Sequence, residues 1–130
     1  MSFGYGVSDL ITTSTLAWRI YRTCKDSSDD FRAISSEVAS LHIVLKEIEE
    51  TLSDQSLTSG QETQLSVLTD GCSAVLDDLD KLLKKYHGLG TQSQRTWDRM
   101  KWGLEDIQAI RERLISSVTL LNAFNTTFIK

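Results

Sequence analysis

Residues 28–52 read SDDFRAISSEVASLHIVLKEIEETL. Phe31, Ile34, Val38, Leu41, Leu45, Ile48 and Leu52 follow one another in alternating steps of three and four, which places all of them on one stripe of an α-helix. Downstream, about Gln61 to Tyr86, the row repeats as Leu65, Leu68, Cys72, Val75, Leu79, Leu82 and Tyr86. Two such seams predict two amphipathic helices with Leu41, Leu45, Val75 and Leu79 in a common core. The polar connection from Ser53 to Gly60 is short, which predicts antiparallel neighbours. Ser59 with Glu62 three residues later has the spacing of a capping box.

Outward from this pair, a first helix is expected over about Ser8 to Cys24, with Val7, Leu10, Ile11, Ala17, Trp18, Tyr21 and Cys24 as its apolar stripe. The glycines in Ser2-Phe3-Gly4-Tyr5-Gly6 discourage regular helix ahead of it. Ser27, followed by Asp29 and Asp30, can start the second helix, since the acids favour the positive end of its dipole. Gly88 and Gly90 are placed to end the third helix in left-handed conformation. Thr91 to Ser93 can cap a short helical segment carrying Trp97 and Met100, and Gly103 marks a bend. From Leu104 the row Ile107, Ile110, Leu114, Val118, Leu121, Phe124, Phe128 predicts a long last helix running to Lys130.

Composition agrees with an all-α fold: the 130 residues include no proline, where average usage of ~5% would supply roughly six. Hydrophobic residues make up 40% and charged residues 25%, the balance of a globular domain. The expected fold is therefore an antiparallel four-helix bundle with a short extra helical segment before the last helix. A single domain fills 1–130, and the apolar end of the last helix suggests an N-terminal piece of a longer protein.

Lys and Arg number 14 against 18 Asp and Glu, a net charge of -4 that disfavours nucleic acid as a partner. Two cysteines, Cys24 and Cys72, are too few for a disulfide framework, and a cytoplasmic setting is expected. Arg19 and Arg22 interrupt the longest apolar stretch, so no membrane span is expected. Catalysis needs convergent nucleophiles, acids and bases, but the chain has only His42 and His87, one on the flank of a core seam and one in a helix-ending turn. No catalytic residue, cofactor, metal site or small-molecule substrate is expected. The acidic groups Glu47, Glu49, Glu50, Asp54 and Asp77, Asp78, Asp80 read as solvated faces.

Charge is uneven along the chain. Met1 to Lys25 holds Arg19, Arg22 and Lys25 against Asp9 alone, whereas Asp26 to Ser56 holds eight acids against Arg32 and Lys46. A basic, aromatic, amphipathic first segment suits either packing in a bundle or contact with an anionic membrane.

Several blocks carry a family likeness: Met1 to Asp9 (MSFGYGVSD), Leu41 with Val44-Leu45-Lys46-Glu47, Gly71-Cys72 with Leu76, Leu79 and Lys84-Lys85-Tyr86, Arg95 to Trp102 (RTWDRMKW), and Leu120 to Phe124. Together they resemble the N-terminal helical domain of fungal NOD-like receptor proteins, which is similar to HeLo-type and plant coiled-coil four-helix bundles. The resemblance implies an innate-immunity signalling domain at the head of a multidomain receptor, acting by oligomerisation and membrane-directed programmed cell death. On that expectation Phe3, Tyr5, Leu10, Ile11, Trp18, Arg19, Arg22 and Lys25 are membrane-contact candidates. Arg95, Trp97, Arg99, Lys101 and Trp102 are protein-contact candidates for a neighbouring copy. The domain would be cytoplasmic and membrane-peripheral on activation. The alternative is a protein-binding adaptor bundle with no membrane activity.

Overall fold

A computed structural model describes residues 4–88 and 102–127, with side chains described for 8–88 and 106–127. The described chain is all-α: α1 (Gly4–Lys25), α2 (Asp29–Leu52), α3 (Ser59–His87) and α4 (Trp102–Thr126). The extra segment expected between Thr91 and Lys101 lies outside the described residues, as do Phe3 and the side chain of Tyr5.

The seams of α2 and α3 are the centre of the core. Phe31, Ile34, Val38, Leu41, Leu45 and Ile48 are buried on α2, joined by Val44. Leu65, Cys72, Val75, Leu79, Leu82 and Tyr86 are buried on α3, joined by Thr69, Leu76 and Leu83. Ile107, Ile110, Leu114, Leu121 and Phe124 close the core from α4. Leu52, Leu68 and Val118 are partly buried against it.

The two seams nevertheless do not make α2 and α3 neighbours. α1 packs on both α2 and α3, and so does α4, leaving α2 and α3 to face each other across the diagonal of a square. The short 53–58 connection thus crosses an end of the bundle, because both flanks of each seam helix need covering. Successive helices alternate in direction, yet the side-by-side pairs α1/α3 and α2/α4 run parallel. Arg19 near the end of α1 pairs with Asp80 near the end of α3, and Glu37 early in α2 pairs with Arg111 early in α4.

The helix ends differ from the sequence reading in instructive ways. α1 begins at Gly4, so the glycines at 4 and 6 are absorbed into helix. Ser28, not Ser27, occupies the N-cap of α2 in extended conformation, and its side chain makes no capping bond. The capping box of α3 is built one residue earlier than expected: Thr58 Oγ1 accepts from the Gln61 backbone N–H at 3.1 Å, and Gln61 Oε1 accepts from the Thr58 N–H at 2.9 Å. The earlier start lets Leu57, just ahead of the cap, pack against the core. Gly88 closes α3 in right-handed conformation (φ -69°, ψ -12°), not left-handed. Gly103 lies inside α4 without interrupting it, and α4 is described to Thr126, with Phe128 to Lys130 of the expected last helix outside the described residues.

Candidate functional site

The inward face of α1 is Leu10, Thr13, Ser14, Ala17, Ile20 and Cys24. Thr13, Ala17 and Ser14 are small, which lets α1 lie close on its neighbours, since helix separation follows side-chain size at the contact. The hydroxyl residues Thr13 and Ser14, which the expected apolar stripe leaves out, are part of the packing. Ser14 Oγ donates to Glu49 Oε2 of α2 at 2.7 Å, and His42 Nδ1 donates to the Ser14 carbonyl oxygen at 3.1 Å. Lys46 Nζ, 3.2 Å from Glu49 Oε1, balances the carboxylate.

With those positions turned inward, the opposite face carries Ile11, Thr15, Trp18, Arg22 and Lys25, again in steps of four and three and all exposed. Ile11 and Trp18 are each 47% exposed, large apolar side chains on an outer face of α1 that is otherwise polar, while Ile43, Val67, Ile115 and Leu120 are exposed singly on the other helices. The row is divided along its length, apolar toward the start of α1 and basic toward its end.

Trp18 is held in place. Its ring stacks on Tyr21 (centroids 5.4 Å apart) and tilts against the His42 imidazole at 5.2 Å. An exposed indole with its rotamer fixed by neighbours can contact a partner at little further entropic cost. His42, placed by the sequence on the flank of a seam, is thus the bracket between Trp18 and the α1 backbone. In the sequence Ile11 and Trp18 stand both in the apolar stripe of α1 and among the membrane-contact candidates; the stripe groups them with Leu10 and Ala17, whereas the bundle leaves them exposed.

Of the other expected contact residues, Leu10 is fully buried and belongs to the core of the packed bundle. Arg19 is exposed but committed to Asp80 at 3.3 Å. Partial burial works to raise the Asp80 pKa, and the hydrogen bonds and charges of Lys84 and Arg19 outweigh it, holding the carboxyl below its usual range. Asp78 is likewise engaged, with Arg113 Nη1 at 2.7 Å, so two of the three acids of the α3 patch are tied into interhelical ion pairs while Asp77 is exposed. Arg95, Trp97, Arg99 and Lys101 lie outside the described residues, as does the side chain of Trp102.

Burial pushes the thiol of Cys24 up to about 12 and that of Cys72 to about 11, the latter against a hydrogen bond with Ser117 that works the other way. Both are packing groups. Among the described residues, no three His, Cys, Asp or Glu side chains come together as a metal ion would need. Among them, too, no helix is long and apolar enough to cross a membrane.

The family model for the N-terminal region of the pigment biosynthesis cluster protein PigL matches residues 7–121, from the start of α1 to the last turns of α4. The chain belongs to the PigL N-terminal family. No curated protein and no solved structure matches it. The match fits the coarser part of the resemblance, an N-terminal helical domain of fungal type. Within this PigL N-terminal domain the matched span includes both faces of α1, so the outer row belongs to the family region and not to an appended tail.

Proposed function

We propose that this PigL N-terminal domain is a non-enzymatic signalling module at the head of a multidomain, receptor-type protein of the fungal NOD-like kind. Copies brought together by the rest of that protein press the outer row of α1 onto an anionic membrane surface, as a step in cell-death signalling. The observation that carries this reading is the row Ile11, Trp18, Arg22, Lys25, displayed on the finished bundle. Trp18 and Ile11 suit the interfacial layer, and each basic residue near an anionic surface contributes ~1 kcal/mol. One copy binds weakly on these terms, and several held together multiply the effect.

Contact with the bundle intact is favoured over release of α1. Leu10 and Ile20 are wholly buried, and exposing two such side chains costs roughly 1.5 to 3 kcal/mol each. The displayed row needs no such expense. A second reading, an adaptor whose α1 row meets an acidic protein surface, draws on the same unpaired Arg22 and Lys25.

The test is co-sedimentation of the domain, fused to a trimeric coiled coil, with phosphatidylserine-containing and with neutral phosphatidylcholine vesicles. Binding to the anionic vesicles alone, lost in Trp18→Ala and in R22E/K25E, supports the membrane reading. Absence of binding to either vesicle defeats it and leaves the adaptor.

A further inference from the structure

At the opposite end of the bundle from Arg22 and Lys25, α2 and α4 finish side by side. Neither carries a basic residue in its last turn, although the negative end of a helix dipole favours cations there. α2 instead places Glu47 and Glu50 at that end, with Asp54 just beyond, the reverse of the stabilising arrangement. Of the local lysines, Lys46 is taken by Glu49. Among the described residues, Glu47, Glu50 and Asp54 take part in none of the ion pairs that tie the helices together.

These three line an open cavity of about 470 Å³ with Thr51, Gln55 and Asn125. Asn125 comes from α4, is 8% exposed, and has its Oδ1 buried with no hydrogen-bond partner. A buried acceptor left unpaired is destabilising, because it has given up its bond to water. A cleft of carboxylates backed by an amide oxygen and two negative helix ends wants a donor that is also a cation. A long flexible Lys or Arg side chain fits that need, since it carries several N–H groups on an apolar stem.

We propose that this cleft receives the basic half of the α1 row, Arg22 and Lys25, from a second copy of the chain. The two surfaces carry opposite unpaired charges and lie at opposite ends of one bundle. Their union sets the head of one copy against the tail of the next, a contact that either repeats in series or closes reciprocally in an antiparallel pair. The contact is electrostatic and salt-sensitive. It requires no membrane, and so stands apart from the vesicle reading; an anionic surface competes with the cleft for the same cations.

The experiment is sedimentation velocity of the 1–130 chain over a concentration series, at low and at high ionic strength, without lipid. Association that grows with concentration at low salt and disappears at high salt is expected. R22E/K25E and E47K/E50K should each stay monomeric, and an equimolar mixture of the two should associate again, because each restores the complement of the other. The neutral pairs R22Q/K25Q and E47Q/E50Q, with circular dichroism of every variant, separate loss of contact from loss of fold. A wild-type chain that stays monomeric throughout, variants that associate like wild type, or a mixture that fails to recover overturns the proposal. E47K/E50K should keep its binding to anionic vesicles, so failure of the head-to-tail contact and failure of the membrane reading are told apart.

Discussion

Ile11 and Ile20 lie on the same helix, are the same residue type, and differ in one respect: Ile20 is 0% exposed and Ile11 is 47% exposed. Truncating each to alanine removes the same carbons. For Ile20, losing three buried carbons at ~0.8 kcal/mol apiece gives about 2.4 kcal/mol, and the cavity left behind raises this to about 3 to 4. For Ile11, roughly half the transfer term applies, about 1 kcal/mol, and alanine's better helix propensity returns ~0.4. A domain of this size loses ~3 to 5 °C of melting temperature per kcal/mol, so Ile20→Ala should lower Tm by about 10 to 15 °C and Ile11→Ala by about 2 to 3 °C. Urea titrations followed by circular dichroism at 222 nm give the two free energies directly. If Ile11→Ala costs as much as Ile20→Ala, α1 is rotated relative to the structure described, and the outer row has no basis.

Thr58→Ala removes one half of the α3 capping box and should cost ~1 kcal/mol in the same urea assay, whereas Ser59→Ala should cost almost nothing. Cys24 and Cys72, buried with thiol pKa raised to about 12 and about 11, should resist a thiol-reactive disulfide reagent at neutral pH in the folded protein and both react promptly in denaturant; fast labelling of the native chain would contradict the burial. Asp80 has a carboxyl pKa lowered from its ordinary 3.8, so its contribution is complete above that value and is lost as pH falls through the lower, folded-state value. Stability measured from pH 6 downward should therefore decline less steeply below about pH 4 in Asp80→Asn than in wild type, and parallel curves would show that its pairs with Arg19 and Lys84 add nothing.

The buried faces of α2 and α3 were legible because their apolar residues recur without interruption, and a three-four row of that length has only one amphipathic reading. Loop length was a poor guide to adjacency: the 53–58 link joins helices that face each other diagonally, since only helices on both flanks can cover two seams at once. α1 was misread by hydrophobicity. Thr13 and Ser14 count as polar in the sequence, but inside the bundle Ser14 is satisfied by Glu49, and the two small side chains permit the close approach that Ile11 or Trp18 would block. Once they turn in, Ile11 and Trp18 must turn out. The α3 cap was ambiguous by one residue because TSGQE holds two overlapping box patterns, Thr58 with Gln61 and Ser59 with Glu62, and packing of Leu57 accompanies the first. The acidic cleft was legible only as a cluster, Glu47, Glu50 and Asp54 at the end of α2, because Asn125 joins them only when α2 and α4 lie parallel.

The outer row of α1 can be watched through Trp18 alone. In a W97F/W102F chain fused to a trimeric coiled coil, Trp18 is the sole indole of the domain, half-exposed and stacked on Tyr21. Titration with phosphatidylserine-containing vesicles should shift its emission to the blue and shield it from acrylamide, while neutral vesicles leave both unchanged. Emission and quenching that stay the same with anionic vesicles, or that change equally with neutral ones, would contradict an anionic surface as the partner of this face.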